Sequence, residues 1–182
     1  MSEATAVPPR AGARRWILLA VAVAALAFGA WVAKSLLGPQ ARDASALLGV
    51  SLPDLDGRQQ ALGQWKGKLV VVNFWATWCA PCREEMPMFV QAQAAHGAKG
   101  LQFVGVAVDE APKVRQFADE IGLNYPSLIG GYGAMELSRT LGNTIMALPF
   151  TVVVGRDGKV LHTQLGPLKR TELDKLLEIG LK

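Results

Sequence analysis

The sequence predicts an α/β domain, a mixed central sheet with helices on both faces, preceded by a hairpin and, further upstream, by one apolar helix. Three observations carry this. Leu69-Val70-Val71-Val72-Asn73-Phe74-Trp75 is a near-continuous apolar run, the pattern of a strand buried on both faces. A second such run, 101–108, follows a helix-length segment, as in a strand–helix–strand unit. Two further apolar runs, 150–154 and 160–163, flank Gly155-Arg156-Asp157-Gly158, an Asp-Gly hairpin signal that places antiparallel strands beside the parallel pair.

The 182 residues, 51% hydrophobic and 19% charged, suit one domain plus an appended segment. The formal net charge is only +4, part of it in Arg10, Arg14 and Arg15. No Lys/Arg cluster interleaved with aromatics occurs, so no nucleic-acid partner is expected.

Residues 1–15 read as a polar tail. Residues 16–33 contain no charged side chain, and as a helix they would span about 27 Å of a hydrocarbon core of roughly 30 Å. Arginines precede this run and only Lys34 follows closely, so the positive-inside rule keeps the tail cytoplasmic and exports the rest. The expectation is a single-pass signal-anchor in the bacterial inner membrane, with the main domain in the periplasm. A cleaved signal peptide ending near Ala27-Phe28-Gly29 is the competing reading, but the apolar run continues past that point. Arg14-Arg15 is weak evidence for twin-arginine export. Residues 34–46, with Gly38-Pro39-Gln40, read as a linker, and 47–182 as the domain.

Within the domain, 50–52 and 60–62 flank Asp54-Leu55-Asp56-Gly57 as a hairpin. The 69–75 strand follows, then a helix over 81–96 with Pro87 inside it, expected to kink. After the 101–108 strand come helices at 114–121 and 133–141, then the late hairpin. A last helix is expected with Thr171 as its cap and Glu172 and Asp174 in its first turn. The late strands and this helix read as scaffold.

The chemistry lies in the only two cysteines, Cys79-Ala80-Pro81-Cys82, placed where a strand ends and a helix begins. A thiolate is the reactive form of cysteine, and unpaired N–H groups at a helix N-terminus stabilise it, so Cys79 is expected to ionise below the ordinary thiol range. Cys82, one turn on, can close a disulfide with Cys79 or resolve a mixed one. A structural disulfide normally closes a longer loop. Zinc would need four ligands, and only His96 and His162 are available to supplement the cysteines, so no metal or other bound cofactor is expected. Transient Cu(I) binding, helped by Met86 and Met88, stays open against core packing of those methionines. A peroxidase would set a lone peroxidatic cysteine behind threonine and proline, where only Thr77 fits. A Cys-His hydrolase lacks a placed histidine. Trp75 and Trp78 are expected to frame the sulfurs as partly exposed rings, with core filling the competing role for Trp75.

Trp75-Ala76-Thr77-Trp78-Cys79-Ala80-Pro81-Cys82 resembles the active-site motif of thioredoxin-fold oxidoreductases. The longer string from Asn73 through Arg83-Glu84-Glu85-Met86-Pro87 to Phe89 is similar to the membrane-anchored TlpA/ResA branch. The resemblance implies a thioredoxin-like fold over 47–182 and a dithiol–disulfide exchange activity with no bound cofactor. It implies that Trp78, Ala80, Pro81 and Leu148 bind substrate, and that Pro149, in Ala147-Leu148-Pro149-Phe150, follows a cis bond beside the cysteines and leaves the Leu148 backbone free for a substrate strand. Thioredoxins carry a buried aspartate where this chain has Asn73. Glu85 matches an acidic residue of the TlpA/ResA branch and is expected to manage the Cys82 proton if buried, whereas Glu84 beside it is expected to face solvent. The implied partners are an oxidised protein thiol (an apocytochrome c or a copper-site protein of the oxidase) and a membrane electron donor of the DsbD/CcdA type. Ala80-Pro81 keeps proline before the second cysteine, as in reducing members. A copper chaperone using the same dithiol and a disulfide oxidase are the competing functions.

Overall fold

The computed structural model describes the backbone over 11–37 and 43–182, and the side chains over 16–31 and 43–182. It divides into two units, 1–40 and 41–182. In the first, α1 (Ala11–Leu37) is one continuous helix. Its large apolar side chains, among them Trp16, Leu19, Leu26 and Trp31, are exposed. Within the described side chains no helix is long and apolar enough to cross a membrane, and residues 32 and 33 of the expected span lie outside them. Residues 1–10 of the expected tail and 38–42 of the expected linker are outside the described residues altogether.

The second unit opens with a single helical turn, α2 (Ser45–Leu48), and the hairpin β1 (Ser51–Pro53) and β2 (Gln59–Ala61). Its turn needs Gly57 at φ 79°, and the Asp54 carboxylate accepts the N–H groups of Asp56 and Arg58. The core elements follow as β3 (Leu69–Trp75), α3 (Ala80–His96), β4 (Leu101–Ala107), α4 (Ala111–Glu120), β5 (Ser127–Ile129), α5 (Gly131–Thr140), β6 (Phe150–Val154), β7 (Val160–Leu165) and α6 (Arg170–Gly180). The sheet order is β5-β4-β3-β6-β7. β3, β4 and β5 run parallel; β6 is antiparallel to β3, and β7 to β6.

Alternation along β3 divides the core. Leu69, Val71 and Trp75 pack with Met86 and Phe89 of α3, Phe117 of α4 and Leu173 and Leu177 of α6. Val70, Val72 and Phe74 pack on the other face with Leu47, Leu62, Trp65, Ala134 and Leu141. Each such buried side chain contributes about 1.5–3 kcal/mol. Helices on both faces of a mixed sheet are what the apolar runs predicted.

Two details differ. β5 is three residues long and carries no pattern of its own; it exists because Ser127, Leu128 and Ile129 pair with Gly105, Val106 and Ala107 of β4. And α6 starts at Arg170 after Lys169, with no side-chain cap, so Thr171 lies inside the first turn instead of capping it.

Candidate functional site

β3 ends at Trp75, and four residues later Cys79 occupies the N-cap position of α3 with φ −89° and ψ 98°. Its carbonyl accepts the Arg83 N–H, the first bond of the helix, and its own N–H donates to the Ala76 carbonyl at 3.1 Å. Pro81 sits in the first turn, where no N–H is needed. The loop is tied down by Asp109, just beyond β4, which accepts both the N–H and the hydroxyl of Thr77. Burial would raise the Asp109 pKa, but these bonds, the Glu110 N–H and the charge of Lys113 outweigh it and hold the carboxylate below its ordinary value.

Cys79 and Cys82 form a disulfide, with Cα atoms 5.3 Å apart. Their access differs: Cys79 keeps 6% of its surface and Cys82 none. An attacking partner can therefore meet only Cys79. In this oxidised form neither cysteine titrates.

One turn behind Cys82, Glu85 is buried, while Glu84 faces solvent. The Glu85 carboxylate accepts the Asn73 amide at 2.9 Å on one oxygen and the Leu168 N–H at 2.8 Å on the other. Burial lifts its pKa from 4.5 to about 7 against the pull of those two bonds. Asn73 also donates to Thr151 Oγ1 at 3.1 Å, and its Oδ1 is buried without a partner. Tyr125 carries a buried, unpartnered hydroxyl whose pKa is pushed up by burial and by the charge of Glu85.

The third component is the segment before β6. Leu148–Pro149 is a cis peptide, as the resemblance implied. The register Phe74↔Phe150 places this segment beside the β3 end that feeds the cysteine loop. The Pro149 carbonyl accepts the Gly166 N–H. Leu148, in contrast, makes no backbone hydrogen bond within the described residues. Trp78, 69% exposed, and Leu148 line one groove of about 490 Å³.

Of the sequence-predicted residues, Cys79, Cys82 and Glu85 come together on the first turns of α3, with Ala80 exposed and Pro81 half-buried beside them. Trp75 is a correction. Its ring is fully buried against Phe117, because β3 is covered on both faces and Trp75 falls on the side packed by α3 and α4. Met86 is buried and Met88 packs against the same core. Among the described residues no three His, Cys, Asp or Glu side chains converge in a way that could hold a metal ion. Sequence reasoning missed Asp109 and Leu168. Leu168 lies in the segment joining β7 to α6, and its N–H holds Glu85; a backbone contact 83 residues away leaves no sequence signal.

Residues 37–178 match the Redoxin family model. The chain belongs to the Redoxin family. It is 32% identical over 126 residues to the thiol-disulfide oxidoreductase ResA of Bacillus thuringiensis subsp. konkukian, covering 69% of this chain and 70% of that one. It is 35% identical over 133 residues to the thioredoxin-like protein YneN of Bacillus subtilis, covering 71% and 75%. Its fold is similar to that of a thiol:disulfide interchange protein of the thioredoxin family from Chlorobium tepidum TLS. There the TM-score is 0.70 at 29% identity, over 79% of this chain and 98% of that one. This Redoxin is a thiol–disulfide oxidoreductase, and its two cysteines, Cys79 and Cys82, form a CxxC disulfide.

Proposed function

We propose that the chain is a membrane-anchored reductase of protein disulfides, working outside the cytoplasm. The observation that carries it is the asymmetry of the pair: Cys79, at a helix N-terminus, keeps 6% of its surface, while Cys82, one turn from a buried carboxylate, keeps none.

In the reduced protein the Cys79 thiolate attacks one sulfur of a substrate disulfide. A Cys79–substrate disulfide forms and the other substrate sulfur leaves as a thiolate. The Cys82 thiol gives its proton to the Glu85 carboxylate and attacks Cys79 Sγ, releasing the second substrate sulfur. Two electrons have passed from the dithiol to the substrate, so no bound cofactor is called for. A carboxyl group titrating at about 7 can take and return that proton near neutral pH. The unpaired Leu148 backbone would hold the substrate chain as an added strand, with Trp78, Ala80 and Pro81 around it.

The apolar run 16–33 behind Arg10, Arg14 and Arg15 supports an inner-membrane anchor with the domain in the periplasm. An oxidising compartment supplies no reductant, so the pair would be re-reduced by a membrane dithiol carrier of the DsbD/CcdA kind, to which a tether raises its effective concentration. Cysteine pairs awaiting haem or copper, as in an apocytochrome c or an oxidase copper-site protein, fit as substrates.

The reduction potential of the Cys79–Cys82 couple tests the direction. A value far below that of the strong oxidants, about −120 mV, is expected, and one near it would make the protein an oxidase.

A further inference from the structure

Asn143 lies far from both cysteines in sequence, in the turn between α5 and β6, and is fully buried. Its side chain does not cap a helix or face water. Oδ1 accepts the Ala147 N–H at 3.0 Å and Nδ2 donates to the Ala147 carbonyl at 2.8 Å, so one amide pairs with both backbone groups of one residue. Nδ2 also donates to Ser138 Oγ at 3.0 Å, and that buried hydroxyl donates to the Met135 carbonyl within α5. The backbone closes the same loop: the Asn143 N–H donates to Ser138, and the Asn143 carbonyl accepts the Met146 N–H.

What this amide holds is a turn with little else to hold it. Ile145 and Met146 are exposed, and Met146 has φ 51°, a left-handed conformation that a side chain with a Cβ rarely adopts. Such an outlier persists only where its surroundings over-determine it, and here the surroundings are the bonds centred on Asn143. The next residue after the clamped Ala147 is Leu148, whose own N–H and C=O are unpaired among the described residues.

We propose that Asn143 is a positioning residue for substrate docking: by occupying both backbone groups of Ala147 it fixes the chain direction at Leu148, leaving that residue's backbone as a rigid edge for an incoming cysteine-bearing strand. This rests on the reading of Leu148 as the docking edge. Pairing Ala147 internally also prevents the substrate from adding one residue out of register, a slip that would turn its cysteine to the wrong face. The partner so recognised is an extended polypeptide around a cysteine. A small disulfide without a backbone gains nothing from the clamp.

The test uses the full-length protein with Asn143→Ala. Insulin serves as a polypeptide disulfide and cystamine as a disulfide without peptide groups. For insulin, kcat/KM should fall about tenfold, through KM and not kcat. Cystamine reduction and the Cys79–Cys82 reduction potential should stay unchanged. Equal loss on both substrates, or no loss on either, overturns the proposal. Should Asn143→Ala fail to fold, Ser138→Ala removes one partner of the Asn143 amide while leaving its two bonds to Ala147, and should show the same split, less strongly.

Hydrogen exchange at Leu148, in a mixed disulfide of Cys82→Ser protein with a cysteine peptide, separates the two layers. Protection that disappears with Asn143→Ala supports the clamp, and protection that survives it overturns the clamp. Absence of protection with Asn143 intact overturns the docking reading itself.

Discussion

The two faces of the sheet's three inner strands, β4, β3 and β6, are different materials. On the face covered by α2, α5 and the hairpin region, β3 places Val70, Val72 and Phe74 among Val104, Val106, Phe150, Val152 and Val154, apolar except for Gln102 beside Val70 at the start of the strands. On the face covered by α3 and α6, the row Gly105–Asn73–Thr151 crosses the three strands in register and interrupts the apolar layer beneath Glu85. Here a Cβ on Gly105 would lie 2.9 Å from Trp75 Nε1, and Trp75 Nε1 and Ser127 Oγ are both buried without partners. One face supplies cohesion. The other gives up some of it to keep a carboxyl group and a sealed thiol in low dielectric, where a proton can be exchanged near pH 7.

The largest effect should come from the apolar face. Phe74→Ala removes a fully buried ring that meets Phe150 at 6.0 Å, and should cost about 3–5 kcal/mol in a denaturant titration. The pH profile of disulfide exchange should not move. If it does, the faces are coupled and the contrast fails.

Glu85→Gln should do the reverse, acting on pH dependence. Glu85 ionises at 4.5 in the unfolded chain and at about 7 in the folded one, so the folded state holds the proton more tightly. Its contribution to stability is complete below pH 4.5 and is lost as pH rises through about 7, in total about 3 kcal/mol. Stability measured from pH 4 to pH 8 should lose that slope in the variant. Resolution by Cys82 should slow about a hundredfold at neutral pH. An unchanged exchange profile would remove Glu85 from the proton path.

A smaller effect is expected for Gly105→Ala on the redox face. Its Cβ would press on Trp75 Nε1 and stand 3.3 Å from Ser127 Oγ, at a cost of about 1–3 kcal/mol in the same titration. A neutral result would show that this face yields more than its packing suggests. Smallest of all is Glu84→Gln. This neighbour of Glu85 faces solvent, and its replacement should leave rate, profile and unfolding midpoint as they were.

Much of this was legible beforehand, for local reasons. β3, β4, β6 and β7 announced themselves as apolar runs, and Gly158, at φ 81° in the late turn, as a hairpin residue. The cysteines, Glu85 and the Leu148–Pro149 segment were legible through the resemblance, since a motif preserves spacing. β5, Leu168, Asp109 and Asn143 were not. Each acts through backbone pairing or a contact made only after the chain has folded, and neither leaves a residue-type pattern. For Trp75 the core-filling role holds, because β3 is a central strand covered on both faces, so a ring on either side of it is buried.

By itself, then, the sequence determined where strands and helices form and that a dithiol would begin a helix, because hydrophobic period and helix-end chemistry act over a few residues. Tertiary structure alone decided which backbone groups hold the Glu85 carboxylate, that Trp75 fills the core, and what holds the loop before Pro149. The Glu85 carboxylate and its partner Leu168 lie 83 residues apart in the chain and meet only when the sheet closes beneath them.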